Sequence, residues 1–285
     1  MPIDVESALD SRLPARVFAW DEDRVILYHL GLGAGAPPTD PRELSYTYEG
    51  DLAVLPSFAT VAAYSSMATV PSARGVDINW VLVLHGEQDL EVRSPIPRRG
   101  EVTSRPRIAH IYDKGQAALM VVEVTSTDNR TGQVLFVNRA SLFIRGEGGW
   151  GGDSGPRASN QAPGREPDHI VRSATLPQQA LLYRLSGDKN PLHADPGYAA
   201  LGGFDRPILH GLCTYGVVGK AVIDTVLDGE AGRVRRYQAR FSGVVFPGET
   251  VVTRIWEEAD DMVLLEAAVE ERAATVLSHA ALWME

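Results

Sequence analysis

The run LHGLCTYGVVGKAVIDTVL, Leu209 to Leu227, decides the fold. Leu212, Tyr215, Gly216, Gly219, Val222, Ile223 and Val226 recur along it at helical spacing, which predicts one apolar stripe on a single long helix. Gly216 and Gly219 each cost a helix interior about 1 kcal/mol relative to alanine. Close packing against another layer offsets such a cost. Asp228-Gly229 stops the helix. Downstream the pattern changes. DMVLLEAAVEE (Asp261 to Glu271) and ATVLSHAALWM (Ala274 to Met284) are alternating or continuous apolar runs between turn residues, which are strand signals. A long apolar helix followed by antiparallel strands predicts an α+β fold, a curved sheet around a buried helix.

Upstream the chain repeats itself. WDEDRVILYHLGLGAG (Trp20 to Gly35) and TLPQQALLYRLSGDKN (Thr175 to Asn190) are each a short helical pattern ending in Tyr-x-Leu and a turn. PIPRRGEVTSRPRI (Pro95 to Ile108) parallels VVFPGETVVTRIW (Val244 to Trp256), with Pro, Gly and Glu ahead of a β-branched run. GQAALMVVEVTST and GQVLFVNRASLFI close the first half as the two runs above close the second. Between the halves, RGEGGWGGDSGPRASNQAPGREP (Arg145 to Pro167) is rich in Gly, Pro, Ser and Asn and has no periodicity, so it reads as an exposed, mobile linker. The expected organisation is an internal duplication: a first repeat at 1–146, a linker at 147–167 and a second repeat at 168–285.

Composition narrows the function. The chain has 285 residues, 44% of them hydrophobic, so a substantial core is expected. A net charge of -10 argues against a general nucleic-acid binder, which needs a basic face. Cys213 is the only cysteine, which excludes an intramolecular disulfide and a cysteine metal cluster. The first residues lack the apolar run of a signal peptide, and no stretch approaches the ~18–20 apolar residues of a membrane span. A cytoplasmic protein is expected.

The chemistry concentrates in YRLSGDKNPLHADPGYAA, Tyr183 to Ala200. Gly187 permits a sharp turn, Pro191 stiffens the loop, and Asn190 is pushed towards an extended conformation. Asp188, Asn190 and His193 therefore sit on a constrained loop. An acid, an amide and an imidazole can hold one water in a fixed orientation and deliver OH and H to one face of a double bond. His210-Gly211 opens the long helix, where free N–H groups and the positive dipole end would stabilise an enolate oxygen. A lone Asp-x-Asn turn is more often structural than catalytic; the length of the ordered pattern raises it above that reading.

Tyr183-x-Leu185-Ser186-Gly187-Asp188-x-Asn190-Pro191-Leu192-His193, followed by Ala199, resembles the signature of R-specific (type 2) enoyl-CoA hydratases, which belong to the MaoC-like dehydratases. Arg206-Pro207-Ile208-Leu209-His210-Gly211 resembles the family's lead into its central helix. The resemblance implies a hot-dog fold in two tandem repeats, a double hot dog, each with a long central helix wrapped by an antiparallel sheet. It implies reversible addition of water to trans-2-enoyl-CoA, giving (3R)-3-hydroxyacyl-CoA, in fatty-acid or sterol side-chain metabolism. It casts Asp188 and His193 as the acid/base pair, Asn190 as orienting the water or thioester, and the Gly211 amide as the oxyanion donor. No cofactor is implied beyond CoA as part of the substrate, and a homodimer is expected.

The first half departs from the signature: Gly33 and Gly35 fall opposite Asp188 and Asn190, and no histidine stands at the matching offset. One active site per chain is expected, with the first half either making room for the acyl tail or only completing the fold. Lys189, Arg206, His210, Tyr183 and His85 are the expected substrate contacts, Lys189 and Arg206 together with the cluster Arg233-Arg235-Arg236 being candidates for the CoA phosphates. His85-Gly86-Glu87-Gln88 comes after the apolar WVLVL and reads either as lining the interface between halves or as a polar strand end. No metal is expected, since His193 and His210 are not at ligand spacing and no cysteine pair exists. Cys213 reads as packed. The alternatives are an acyl-carrier-protein 3-hydroxyacyl dehydratase and a non-catalytic acyl-CoA-binding partner subunit.

Overall fold

The computed structural model describes residues 3–285. The first half runs α1 (Val5–Leu9), β1 (Arg16–Trp20), α2 (Glu22–Gly31), α3 (Pro41–Thr47), α4 (Ala59–Met67), β2 (Val83–Val92), β3 (Gly100–Asp113), β4 (Ala117–Asp128) and β5 (Val134–Arg145). The second runs β6 (His169–Ala174), α5 (Gln179–Tyr183), α6 (Pro196–Leu201), α7 (Gly211–Val226), β7 (Val234–Phe241), β8 (Thr250–Ala259), β9 (Met262–Val269) and β10 (Ala274–Met284). Local chemistry sets the helix starts. The Asp21, Asp40 and Asp195 carboxylates accept from the free amides that open α2, α3 and α6, and prolines occupy the first turn of α3 and α6.

The ten strands form one sheet in the order β1-β3-β4-β5-β2-β7-β10-β9-β8-β6. With β1–β5 matched to β6–β10, that order is a palindrome about the β2–β7 pair. The duplication read from sequence is thus a pseudo-twofold axis through the middle of a continuous sheet, the architecture of a double hot dog. Along β2 and β7, Glu87 pairs with Arg240, Asp89 with Gln238 and Leu90 with Tyr237. Two ion pairs cross the same junction, Glu87–Arg240 at 2.5 Å and Asp89–Arg236 at 2.8 Å.

The sheet wraps α7 as its pattern demands. Ten of its sixteen residues are buried. A Cβ on Gly216 would fall 2.6 Å from Leu32 Cδ2 and 2.9 Å from the Tyr28 hydroxyl, so a glycine is needed where α2 presses on α7. The twofold-related helices α2 and α5 also touch: a Cβ on Gly31 would lie 3.2 Å from Tyr183 Cα. One hydrophobic core therefore runs through both halves, from Trp20, Tyr28 and Phe58 to Val218, Tyr237 and Leu265. Burying each such side chain is worth roughly 1.5–3 kcal/mol.

Three expectations change. The first half's central helix, α4, has nine residues against sixteen for α7; Pro71 lies in the turn beyond it and cannot continue a helix. Only the end of WVLVL is strand: Trp80–Leu82 is a 3₁₀ turn, and β2 runs from Val83 through the polar HGEQ to Val92. His85–Gln88 thus lies inside a central strand, at a bulge between His85 and Glu87, because cross-strand charges at the junction satisfy its polar groups. The linker has no regular structure but keeps to a fixed course. The Asp113 carboxylate accepts from the amides of Gly149 and Gly151 at 2.8 and 2.7 Å, and these bonds, Gly149's foremost, hold its pKa down to about 2. Asn160 donates to Gln238 at 3.1 Å and Trp256 to the Arg165 carbonyl at 2.9 Å. Among the described residues no helix is long and apolar enough to cross a membrane.

Candidate active site

The loop after α5 is built as its residue types dictate. A 3₁₀ turn over Arg184–Ser186 ends at Gly187, whose φ of 134° is open to glycine. Asp188 comes next, its Oδ1 accepting the Asn190 amide at 3.0 Å. The Asn190 side-chain oxygen accepts the Leu192 amide at 3.0 Å and caps a 3₁₀ turn over Pro191–His193. Asn190 is exposed and its side-chain oxygen is committed to the loop, which leaves its amide nitrogen as the group to face water or thioester. The turn carries His193 inward, to 8% exposure.

His193 Nδ1 lies 2.9 Å from the Ile208 carbonyl. A carbonyl only accepts, so Nδ1 carries the proton and Nε2 of the neutral ring offers a lone pair. Burial lowers the pKa of His193, against the opposing pull of the Ile208 bond and the Asp188 charge, so the neutral form is favoured. His210, the N-cap of α7, donates from Nε2 to the Asp188 carbonyl at 3.2 Å. Its Nδ1 is buried without a partner among the described residues. The two rings stack with centroids 3.7 Å apart, and Tyr183 packs on His210 at 4.9 Å. Burial, then the neighbouring His193, keeps His210 neutral.

Seventeen positions separate His193 from His210 in sequence, and that distance hid their contact. Asp188, His193 and His210 present ligand atoms that all lie within 4.8 Å of one another, so they form a possible metal-ligand set, unlike the expectation from spacing. With Nδ1 of His193 and Nε2 of His210 on carbonyls, the nitrogens left to such an ion, or to a water, are His193 Nε2 and His210 Nδ1.

Gly211 opens α7, and its amide has no intrahelical acceptor. The Phe241 ring lies against it, 3.2 Å from where a Cβ would stand. His85 meets the same Phe241 ring in an edge-to-face contact, with centroids 5.0 Å apart. Its pKa is lowered to about 4 by burial, partly opposed by its bond to the Glu87 carbonyl and by the charge of Asp188. His85 thus reaches this end of α7 from the first half through its contact with Phe241.

One participant has no counterpart among the sequence-derived candidates. Tyr64, on α4, donates its hydroxyl to Asp188 Oδ1 at 2.9 Å. With Thr60 and Val61 of the same helix, Tyr183, Ser186, Asp188 and Leu212, it lines a narrow pocket. The Ser186 hydroxyl is buried there without a partner among the described residues. Nothing in SFATVAAYSSM ties Tyr64 to a loop 124 residues on; the only signal is a phenol in an otherwise small-residue helix. A wider cavity, about 420 Å³, lies away from this chemistry, beyond the C-terminal end of α7, between Leu52–Pro56, Val92–Arg98 and Gly229–Gly232.

The basic candidates divide. Lys189, on the loop, and Arg206 are exposed and have no acidic partner among the described residues; Arg206 stacks on Phe246 at 4.7 Å. The Arg233-Arg235-Arg236 cluster is committed elsewhere, to Glu230, Glu285 and Asp89, so its charge is neutralised by the chain itself. Cys213 is fully buried, bonded from Sγ to the Gly31 carbonyl at 3.3 Å, and burial pushes its thiol pKa up.

Two family models match successive parts of the chain: the MFE-2 hydratase 2 N-terminal domain over residues 18–146 and the MaoC like domain over residues 158–278. A relative described as enoyl-CoA hydratase ChsH3, from Mycobacterium tuberculosis, is 47% identical over 98% of both chains. Peroxisomal enoyl-CoA hydratase 2 of Arabidopsis thaliana is 39% identical over 95% of this chain and 92% of its own. The crystal structure of a MaoC-like dehydratase from Phytophthora capsici superposes with a TM-score of 0.90 at 30% identity, covering 99% of this chain and 98% of that one.

Proposed function

The chain belongs to the type 2 enoyl-CoA hydratase family of MaoC-like proteins, and on that premise we propose that it adds water to the double bond of trans-2-enoyl-CoA, giving the (3R)-3-hydroxyacyl-CoA, and catalyses the reverse. It is a hydro-lyase of fatty-acid metabolism. The observation that carries the reading is the convergence of the Asp188 carboxylate with His193, whose tautomer leaves Nε2 as a base.

A water held between Asp188 and His193 Nε2 gives one proton up as its oxygen bonds to C3 of the enoyl group. The electron pair of the double bond moves towards the thioester oxygen. That oxygen lies at the Gly211 amide, where the N-terminal end of a sixteen-residue helix favours negative charge. A proton returned to C2 from the same side completes a syn addition, with no net change in the protein. Asn190 serves by shaping the loop. Lys189 and Arg206 meet the CoA phosphates. Thr60 and Val61 bring the first half to the pocket wall, which supports a role for that half in seating the acyl tail. The protein works in the cytoplasm as a homodimer.

The test is a substrate panel: crotonyl-CoA, a medium and a long trans-2-enoyl-CoA, and a medium-chain enoyl thioester on acyl carrier protein, each monitored by loss of enoyl-thioester absorbance. Turnover of the CoA thioesters, sustained beyond about four carbons, is the expected result. Turnover of the carrier-protein thioester alone would reassign the carrier, and none on any member would refute the reaction.

A further inference from the structure

We infer that Tyr64 is a positioning residue for hydration: its hydroxyl, supplied by the first half, anchors one oxygen of Asp188 so that the other faces the reacting water. The inference rests on the role given to Asp188 above and extends it. A carboxylate turns easily about its last bond, since that torsion is broad and two-fold. Here Oδ1 receives two donors, the Tyr64 hydroxyl at 2.9 Å and the Asn190 amide at 3.0 Å. Oδ2 has no hydrogen bond within the protein among the described residues. Two bonds on one oxygen fix the carboxylate plane and leave the second oxygen for water.

The direction of the bond is also fixed. A phenol beside an ionised carboxylate can only donate. Burial, then the Asp188 charge, raises the pKa of Tyr64, so the proton stays on the phenol. Tyr64 is thus placed as a donor to Asp188. Its place on α4 is set by helical spacing: Thr60, Val61 and Tyr64 share one face, and all three line the pocket beneath Asp188. The half that lost the acid/base loop therefore completes the site of the other. This gives the shortened α4 a function that acyl-tail accommodation alone does not.

The experiment uses the full-length chain and a medium-length trans-2-enoyl-CoA. Tyr64→Phe keeps the ring and removes the donor. A hydrogen bond to a charged group is worth enough to predict a fall in kcat of about tenfold or more, with KM within about twofold and the melting temperature within a few degrees. In an Asp188→Asn background the same change costs less than about twofold, since the oxygen it orients no longer acts. Wild-type kcat in Tyr64→Phe, or a full and independent loss in the Asp188→Asn background, overturns the inference while leaving Asp188 in place. Wild-type activity in Asp188→Asn alone instead overturns the reading of the site, and this inference with it. If Tyr64→Phe melts early, Tyr64→Met, which fills the space without a donor, is judged by the same criteria.

Discussion

The Ile208 carbonyl decides which nitrogen of His193 carries a proton, and burial decides that the ring stays neutral. Both have a consequence in pH. A histidine whose pKa lies below its usual 6.5 keeps its base form as pH falls through that value. The acid limb of kcat/KM against pH should therefore lie below 6.5. A limb centred above 6.5 would contradict the lowered pKa of His193 in the free enzyme. At this scale the sequence was partly legible. Asp188 and His193 fall within six residues around a Gly and a Pro, so short-range geometry alone places them together. The Tyr64 hydroxyl and the stacking of His210 on His193 were not legible, because each is a contact made by the folded sheet and helices.

The helix α7 shows how an element carries an unfavourable residue for a packing reason. Gly216 lowers helix propensity, yet Leu32 and Tyr28 fill the space its side chain would need. Gly216→Ala should gain about 1 kcal/mol in propensity and lose more to overpacking, for a net destabilisation of about 1–2 kcal/mol, read from urea unfolding. A stabilised variant would show that α2 can move away freely. The helix was readable from its 3.6-residue stripe, and the final strands from their alternation. Strand β2 was not. Its apolar approach, WVLVL, mimics a strand, whereas the true strand is polar because it lies at the junction of the halves and pairs its acids with Arg236 and Arg240. Strand pattern tracks burial by apolar neighbours and fails where cross-strand charges take their place.

Across the whole molecule the pseudo-twofold axis makes the halves one unit. Besides the shared core, a charge network ties them: Lys220 of α7 meets Glu43 of α3 at 2.6 Å and Asp224 at 2.7 Å, and Tyr46 donates to Asp224 at 2.7 Å. The three charged side chains are less than a fifth exposed. Lys220→Met leaves two carboxylates without their cation and should cost about 3 kcal/mol of stability in chemical unfolding; no loss would show that the network does not hold the halves together. The duplication was visible in the order of motifs, but the palindromic sheet was not, since strand order depends on how the halves face each other. The claim that joins the three scales is that Asp188, held by both halves, adds water to one face of an enoyl thioester. Its most direct test is hydration of a medium-length trans-2-enoyl-CoA by the wild type and by Asp188→Asn, with chiral analysis of the product. The wild type is expected to give a 3R alcohol, and the folded variant a rate lower by a factor on the order of 10² or more. A 3S product, or a variant that hydrates at the wild-type rate, would contradict it.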